Sequence, residues 1–380
     1  MIVMKFGGTS FSDLAAWQRA LSIVKTKSAQ ETVIVASAVR GITDELAACA
    51  ENAAQGNKIE QQNGFESIAS THFEFCDSLR LRKQVRQQLG LGMRELKLCL
   101  ESVSTLNELT LRTRDQILAY GEVFSSMMLT AVLQKLGVDA VFVDSREIVV
   151  TDDRFSRARP QVEIAKNQTR ARLIPLLHNK KVPVLPGFIG ATQTGQTTTL
   201  GRGGSDFSAS LIAGWLKVDE LQIWKDVPGF MTADPDVVPD AETFPYLSYE
   251  DAEQLCRYGA KILHPLAVRY AARKGIPIRV LYTRDPDKPG TLIAADVPPR
   301  SLEVIGIAAH KNTGRVIVIG DALRHPEIAA QILRSCRGLQ ILRVSQDTLR
   351  SRMILVTAQG DTERAIRQIH AGVKSLTYDL

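Results

Sequence analysis

Two glycine-rich runs, each directly after a short apolar strand pattern, constrain the fold of this chain most strongly. The first is KFGGTS at residues 5–10, which follows the apolar residues 2–4. The second begins with GFIG at residues 187–190 and ends with TTTLGRGGSD at residues 197–206. Glycine lets backbone amides approach an anion, and a helix start presents unpaired amides and the positive end of its dipole. Both runs therefore predict loops that bind a negatively charged ligand.

Each glycine run precedes a predicted helix, over residues 14–25 and residues 207–216. The first helix has apolar residues at helical spacing, and Ser12 or Asp13 could cap its start. The order strand, glycine turn, helix is that of a phosphate-binding loop. No Gly-Lys-Ser/Thr sequence closes the first run, so it is not a Walker A motif, and alone it could equally be a structural turn.

Short apolar strands alternate with helices through the first 290 residues or so. A helical pattern dominates residues 65–136, with an interruption predicted at residues 90–92. Strands are predicted at residues 33–38, 140–143, 182–185, 220–224 and 278–281. This alternation favours an α/β fold, a three-layer sandwich with a mainly parallel sheet. Ligand-binding loops of such folds gather at the carboxyl ends of the strands, where both glycine runs fall.

A second, smaller unit is predicted after turn-rich sequence at residues 285–290 and 297–300. Its pattern is strand 315–320, helix 325–336, strands 339–344 and 353–358, helix 362–370 and a last strand near 373–376. The order βαββαβ is that of a small ferredoxin-like domain. We therefore predict a main domain over residues 1–296 and a small domain over residues 297–380.

Composition argues against several classes of protein. The net charge of +6 suits an anionic partner, but the most basic stretch, residues 80–86, alternates with leucine as a solvated helix face does, and no nucleic-acid module is visible. The five cysteines are scattered without a CxxC pair, which favours a reducing compartment and argues against a zinc site. With no signal peptide and no apolar run approaching a membrane span, we expect a cytoplasmic protein.

Seven motifs, in order along the chain, resemble those of the aspartate kinases of the amino-acid kinase family. They are KFGGTS at 5–10; Ser37 with GIT at 41–43; YGE at 120–122; GFIG at 187–190; TLGRGGSD at 199–206; WKDVPG at 224–229 with Asp234-Pro235; and GAKILHP at 259–265. Any one could arise by chance, but seven in order are specific, and they cover about the first 290 residues. The terminal unit resembles an ACT domain, a small regulatory fold that often binds amino acids.

The resemblance implies transfer of the γ-phosphoryl group of ATP, with Mg²⁺, to the β-carboxylate of L-aspartate, the first step of aspartate-family amino-acid biosynthesis. An acceptor carboxylate is ionised at neutral pH, so it needs no general base. The difficulty is to bring two anions together. Catalysis would therefore rest on alignment and on charge neutralisation by cations and backbone amides.

The resemblance also implies a role for each matching residue. Lys5 would neutralise the transferring phosphate, the amides of Gly7 and Gly8 would line the cradle, and Asp206 would complete the catalytic set. Glu122 would bind the α-ammonium group of aspartate and Arg202 its α-carboxylate. The remaining substrate-binding residues would be Ser37, Thr43, Phe188 and Ser205. The nucleotide would lie along Lys5, Gly8, Ser10, Trp224, Lys225, Asp226, Met231, Asp236 and Lys261.

Several of these residues could have a purely structural role instead. Ser37 could simply end a strand, and Glu122 could be a solvated charge on a helix. Phe188 and Trp224 could pack in the core, and Asp226 could cap a turn. His264 could be a hydrogen-bonded structural histidine.

Two departures from the family pattern concern nucleotide binding. Met231 stands where family members often carry a tyrosine, and Asp236 stands where many carry arginine or lysine after Asp-Pro. A carboxylate there would repel a phosphate, which leaves the nucleotide affinity and preference open.

The C-terminal region also departs from the family pattern. It has room for one ACT unit where many relatives carry two, and residues 304–308 could be a remnant strand of the other. Because lysine and threonine typically bind between paired units, we do not expect the usual inhibition. Exposed ACT edges commonly pair, so we expect a homodimer. The other expected partners are L-aspartate and MgATP, and we expect no binding to nucleic acid or membrane.

Two further kinds of function stay open at this stage. The chain could phosphorylate another acceptor, such as glutamate, N-acetylglutamate, carbamate or a nucleoside monophosphate, although Thr43, Glu122 and Arg202 favour a free amino acid. It could also be an amino-acid sensor that has lost turnover. A dinucleotide-binding dehydrogenase is disfavoured, because the first glycine run lacks the third glycine that such a site requires.

Overall fold

The computed structural model describes residues 1–27, 30–260, 262–297, 306–310, 313–348, 351–358 and 360–376. Two compact units emerge from the contacts between residues. The first comprises residues 1–226 with 283–286, and the second comprises residues 227–282 with the described residues from 287 onward. The predicted boundary at residues 296 and 297 falls inside the second unit and stays a prediction.

The first unit alternates strands and helices as predicted. Its strands are β1 (Ile2–Phe6), β2 (Thr32–Ala36), β3 (Ala140–Phe142), β4 (Val150–Thr151), β5 (Val182–Pro186), β6 (Ile189–Thr192), β7 (Thr197–Thr199) and β8 (Glu220–Lys225). Its helices are α1 (Leu14–Lys27), α2 (Ile42–Ala54), α3 (Lys58–Ser78), α4 (Lys83–Leu106), α5 (Leu111–Lys135), α6 (Val162–His178) and α7 (Gly204–Leu216).

Five of these strands lie parallel in the order β3-β5-β2-β1-β8. Every residue of β1 is buried, because helices cover both faces of a central parallel strand. Three short strands form a separate sheet in the order β4-β6-β7, with β6 and β7 antiparallel. The glycines of the first run follow the end of β1, and the second run extends from the end of β5 through β6 and β7 to the start of α7.

Helix α4 differs from the prediction, and the start of α1 shows which of the two predicted capping residues is used. The interruption predicted at residues 90–92 is wrong, since α4 continues through it and the breaks lie at residues 79–82 and 107–110. Gly92 serves packing instead, because a Cβ atom there would lie 2.5 Å from the ring of Phe124. At the start of α1 the cap is Asp13, whose carboxylate accepts from the amide of Ala16 at 2.8 Å.

Helix α5 is long and apolar enough to span a membrane by length and composition alone. The apolar window of α5 is 78% buried inside the protein, as in the core helix of a folded domain. This burial is important for the candidate active site, because α5 carries two buried carboxylates, Asp115 and Glu122.

The second unit contains seven strands and four α-helices among its described residues. The strands are β9 (Tyr246–Ser248), β10 (Ile278–Tyr282), β11 (Thr291–Ala294), β12 (Gly306–His310), β13 (Arg315–Ile319), β14 (Ile341–Asp347) and β15 (Arg352–Thr357). The helices are α8 (Tyr249–Arg257), α9 (Pro265–Lys274), α10 (Pro326–Ser335) and α11 (Thr362–Leu376). Strands β10, β11 and β9 are neighbours in that order.

The C-terminal sheet is antiparallel, in the order β12-β13-β15-β14, and helices α10 and α11 pack together. The last strand predicted near residues 373–376 is wrong, because α11 continues to Leu376. The sequential order is therefore ββαββα, and β12 takes the edge position beside β13. The predicted remnant strand at residues 304–308 overlaps β12, but residues 304 and 305 lie outside the described residues.

Candidate active site

Lys5 and Asp206 form a buried ion pair at the centre of the first unit. The Lys5 Nζ atom lies 2.5 Å from Asp206 Oδ1, and the two side chains are 5% and 8% exposed. Lys225, at the end of the neighbouring β8, places its Nζ atom 3.7 Å from Asp206 Oδ2. Burial lowers the pKa of the Lys5 ammonium, and the attraction of Asp206 opposes that shift only in part. Two cations thus share one carboxylate where β1 and β8 end.

The first glycine run passes very close to the chain segment that follows β2. A Cβ atom on Gly8 would lie 2.9 Å from the carbonyl oxygen of Ala38, so only glycine fits without a shift. The amide of Ser10 donates to the carbonyl of Gly7 at 2.9 Å, which closes a short 3₁₀ turn at Gly8–Phe11. This compact turn directly follows the strand that carries Lys5.

Glu122 is buried beside the same segment, so the possibility of a solvated helix charge is excluded. Its side chain lies on α5, and the residue is 3% exposed. Its Oε2 atom is buried without a hydrogen-bond partner among the described residues. Burial raises the pKa of Glu122 to about 8, although the amide of Ala38 and the charge of Lys5 act in the opposite direction. A buried carboxyl oxygen without a donor is suited to receive one from a ligand.

The backbone around Glu122 is held by close contacts. A Cβ atom on Gly121 would lie 2.9 Å from the Cβ atom of Ala38, so α5 approaches the segment after β2 tightly. Ser37 begins that segment, and its carbonyl accepts from the hydroxyl of Ser125 at 2.7 Å. Ser37 does end a strand, as its structural interpretation predicts, and its backbone connects β1 with α5 because its amide donates to the carbonyl of Phe6 at 3.1 Å.

The second glycine run forms a turn before α7. Gly201 and Gly203 both have left-handed backbones, with φ values of 80° and 71°. Arg202 lies between them, exposed, and no hydrogen bond or ion pair within the described part of the chain involves its guanidinium. Asp206 lies in the first turn of α7, where a helix stabilises a negative charge. The turn therefore presents a cation that can bind a ligand anion.

Phe188 has a strained backbone, with φ of 68°, and its amide donates to the hydroxyl of Ser208 at 2.9 Å. Such strain tends to occur at functional sites. The start of α7 packs tightly on GFIG: a Cβ atom on Gly204 would lie 2.6 Å from the Phe188 ring, and one on Gly187 would lie 2.8 Å from Ser205. Thr43, half-buried, lies in the first turn of α2.

Three residues predicted to bind the nucleotide are consecutive at the end of β8. Trp224 is fully buried and stacks on Phe6, with ring centroids 6.2 Å apart, as its packing interpretation predicts. Lys225 contacts Asp206, and Asp226 is exposed. Of these three side chains, Lys225 is the one that reaches the buried charges.

Two further residues predicted to bind the nucleotide, Met231 and Asp236, belong to the second unit. Met231 pairs with Thr243 in an isolated antiparallel β-bridge. Asp236 is exposed, and its amide donates to Asp234 Oδ1 at 3.1 Å. Lys261 lies outside the described residues. His264 caps α9 by accepting from the amide of Leu266 at 3.3 Å, which agrees with the structural role considered for this residue.

Sequence reasoning missed Asp115, a fully buried carboxylate on α5. It accepts hydrogen bonds from Thr199, shortly before Arg202 in the chain, at 2.8 Å from both the amide and the hydroxyl. One signal was available: Asp115 precedes Glu122 by seven residues, which places both on one face of a helix.

The arrangement can bring anions together. Lys5, Lys225 and the amides of the glycine turns offer positive charge, while Glu122 offers a buried acceptor for a cationic group. No group of three or more His, Cys, Asp or Glu side chains suited to a metal ion occurs in the described ranges.

Similarity to known proteins extends over most of the chain. A family model described as the amino acid kinase family matches residues 1–282. Lysine-sensitive aspartokinase 3 of Escherichia coli is 34% identical over 293 residues, which cover 77% of this chain and 64% of that protein. The chloroplastic aspartokinase 1 of Arabidopsis thaliana is 33% identical over 333 residues, with coverage of 83% and 57%. The chain thus spans less than two thirds of the length of these relatives.

A solved structure gives a match over nearly the whole chain. The crystal structure of E. coli aspartokinase III in complex with aspartate and ADP, in the R-state, matches with a TM-score of 0.87 and 25% identity. The match covers 98% of this chain and 99% of that one, and it confirms the predicted fold class. With the family model matched across residues 1–282, this chain belongs to the amino acid kinase family.

Proposed function

We propose that this protein is an aspartate kinase, which transfers the γ-phosphoryl group of ATP to the β-carboxylate of L-aspartate and forms 4-phospho-L-aspartate. The observation that carries the proposal is the buried Glu122 carboxyl group, whose Oε2 atom has no donor among the described residues. An α-ammonium group would supply both the donor and the missing positive charge. The similar E. coli enzyme was solved with aspartate and ADP, the substrate and product that this activity requires.

Charge neutralisation is the main catalytic contribution that we assign to the chain. Lys5 would move from Asp206 toward the transferring phosphoryl group, while Lys225 keeps Asp206 paired. The amides of Gly7 and Gly8 and the start of α7 would add dipoles of the right sign. These amides and the helix start are already held in place, so they would stabilise developing charge without reorganising, and phosphoryl transfer depends mainly on such stabilisation and on positioning.

The acceptor half of the site would recognise the amino-acid end of aspartate. Glu122 would pair with the α-ammonium group, and Arg202 would bind the α-carboxylate with two parallel hydrogen bonds. With both ends held, the β-carboxylate is the group left to attack. It is already ionised at neutral pH, so no side chain needs to remove a proton.

Mg²⁺ fits this set of residues as a partner of the nucleotide. In kinase sites it usually takes one or two protein carboxylates and otherwise binds phosphate oxygens and water. Asp206, buried at the start of α7, could supply one carboxylate oxygen once Lys5 turns toward phosphate. The ion would neutralise phosphate charge when bound.

The C-terminal sheet is the region to which we assign regulation and assembly. We propose that lysine and threonine do not inhibit the protein in the usual way; tight binding of either in a calorimetric titration would overturn this. Strand β14 is an edge strand with Leu342 61% and Val344 43% exposed. Exposed edges template pairing, so we propose a homodimer through this sheet, in the cytoplasm.

A hydroxylamine trap tests the proposed activity. Protein, MgATP and L-aspartate are incubated with hydroxylamine, which converts an acyl phosphate into a hydroxamate, with glutamate as a second acceptor. We expect aspartyl hydroxamate from the wild type and at least about 10²-fold slower formation by Lys5→Ala. Hydroxamate from glutamate alone would identify another acceptor. No product from either, with folded protein, would favour another acceptor or donor, or a sensor without turnover.

A further inference from the structure

Asp115 accepts four hydrogen bonds from two separate chain segments. Its Oδ2 atom accepts from the amides of Ser156 at 2.7 Å and Thr199 at 2.8 Å. Its Oδ1 atom accepts from the hydroxyls of Ser156 at 3.2 Å and Thr199 at 2.8 Å. The side chain is fully buried, and the resemblance to aspartate kinases implied no role for it.

One segment that Asp115 holds leads into the turn with Arg202, and the other lies against that turn. Thr199 ends β7, three residues before Arg202, and its carbonyl accepts from the amide of Ala158 at 2.9 Å. Ser156 has a left-handed backbone with φ of 68°, and its carbonyl would lie 3.1 Å from a Cβ atom on Gly201. The carboxylate therefore fixes the base of the turn from two sides.

The same helix carries the other half of the acceptor site. Asp115 and Glu122 are seven residues apart on α5, about two turns and roughly 10 Å along one face. The helix is buried and continuous between them. A single rigid element thus holds Glu122 directly and the Arg202 turn through Asp115.

The four donors explain why a carboxylate, rather than an amide, stands at this position. Burial raises the pKa of Asp115, and the hydrogen bonds from Ser156 and Thr199 oppose that rise. An asparagine would offer a single acceptor oxygen and turn its own N–H groups toward N–H donors. Such a residue would leave buried donors unpaired and displace the turn.

Resting on the proposed function, we propose that Asp115 is a positioning residue for the amino-acid substrate: it sets the distance between Arg202 and Glu122, and thereby the affinity for aspartate. It would touch neither substrate nor nucleotide. Its removal should weaken aspartate binding selectively and leave the phosphate cradle at Lys5 unchanged.

Steady-state kinetics of Asp115→Asn test this inference. We expect the KM for aspartate to rise about 10- to 100-fold, as loss of hydrogen bonds to a charged group would cause, while the KM for ATP and the kcat at saturating aspartate stay within about threefold. Leu100→Ala, a truncation of a buried residue on α4, is the matched control for general destabilisation. It should lower the melting temperature without changing either KM.

A graded pair of variants keeps the test decisive if Asp115→Asn does not fold. Thr199→Val removes one of the four donors and should raise the KM for aspartate about three- to tenfold, whereas Thr199→Ser keeps the hydroxyl and should restore it. An unchanged KM for aspartate in Thr199→Val, equal changes in both KM values in Asp115→Asn, or the same split in Leu100→Ala would overturn the inference. Absence of turnover in the wild type would instead overturn the proposed function, and the inference with it.

Discussion

The two units hold their predicted ligand-binding residues in different ways. In the first unit, a buried strand and close glycine contacts fix the residues of the predicted phosphate cradle. Lys5 lies on a fully buried strand, and Gly8 fits against Ala38 with no room for a side chain. In the second unit, Met231 and Asp236 lie on a segment whose partners come from the C-terminal end of the chain.

That segment, residues 230–243, shares a core with the C-terminal sheet and helices. Ala233, Val237 and Val238 are buried in the same cluster as Leu323 and Ile369. The attachment also includes polar contacts at three places: the hydroxyl of Thr232 lies 3.0 Å from His370 Nε2, Arg367 Nε donates to the carbonyl of Val237 at 3.0 Å, and Lys374 binds Asp240 at 3.1 Å.

We propose that the two units divide the roles between them. The first unit carries the residues proposed for the acceptor half and the phosphate cradle. The segment assigned to the nucleotide by resemblance depends on a sheet that begins more than sixty residues later in the chain. Substitutions in the C-terminal sheet should therefore raise the KM for ATP more than the KM for aspartate. Substitutions around α5 should raise the KM for aspartate more than the KM for ATP.

The largest effect is expected from Lys5→Ala. Removing the buried cation should lower kcat by about 10²- to 10³-fold, because the phosphoryl charge loses its nearest neutralising group. Lys225→Ala is the matched control, since its ammonium lies farther from Asp206 and is partly exposed. It should lower kcat less. Equal kcat values for the two variants, measured at saturating substrates, would contradict the role given to Lys5.

The next effect concerns a fragment that ends at residue 296, the predicted domain boundary. Without the C-terminal sheet, the apolar side chains of Ala233, Val237 and Val238 lose their core, so we expect an insoluble or partly unfolded product. Ile369→Ala is the milder form in the full chain and should cost about 2–5 kcal/mol of unfolding free energy. It should raise the KM for ATP more than that for aspartate. A soluble fragment with wild-type kinetics would show that the second unit does not need the sheet.

The pH dependence of aspartate binding should follow Glu122. Its pKa is raised to about 8 by burial, so the free enzyme holds this group protonated and neutral below that pH. Pairing with an ammonium group requires the charged form, so the KM for aspartate should fall about tenfold per pH unit up to 8 and level off above it. The KM for ATP should not follow this profile. In Glu122→Gln the dependence should disappear, and a profile that persists there must come from another group.

The sign of the stability effect follows from the same shift. Because the folded-state pKa of Glu122 lies above its ordinary value of 4.5, folding favours the protonated form, and stability is lost as pH rises between 4.5 and about 8. Glu122→Gln should therefore melt higher than the wild type at pH 8, by contrast with its poorer binding of aspartate. A lower melting temperature at that pH would contradict a carboxyl group that folding keeps neutral.

The smallest effect is expected from Asp236→Arg. Asp236 is exposed, so the substitution should leave the fold unchanged. Replacing a carboxylate with a cation near phosphate should lower the KM for ATP about two- to fivefold at low salt, and less at high salt because ions screen exposed charges.

The matched control for Asp236→Arg is Glu250→Arg, which makes the same change of charge at an exposed position on α8. Asp240 lies nearer in sequence but is less suitable, because it pairs with Lys374. The control should leave the KM for ATP unchanged. An equal gain in both variants would mean a general charge effect.

The parallel strands and glycine turns of the first unit could be predicted because their patterns are local. A buried run such as Ile2–Phe6 followed by glycines specifies a strand and a turn within ten residues. The last strand near residue 373 could not be excluded, since β12, more than sixty residues earlier, takes the edge position that it would have filled. Asp115 was missed for a similar reason: its donors, Ser156 and Thr199, lie 41 and 84 residues away.

The central claim is direct transfer of phosphoryl to the β-carboxylate, and isotope tracing tests it most directly. L-aspartate labelled with ¹⁸O in both β-carboxylate oxygens is incubated with MgATP, the protein and hydroxylamine, and the released phosphate is examined by ³¹P NMR. Hydroxylamine attacks the carbonyl carbon, so the oxygen that bridged carbon and phosphorus leaves with the phosphate. We predict phosphate that carries one ¹⁸O atom. Unlabelled phosphate alone would mean transfer to water and would contradict direct transfer to aspartate.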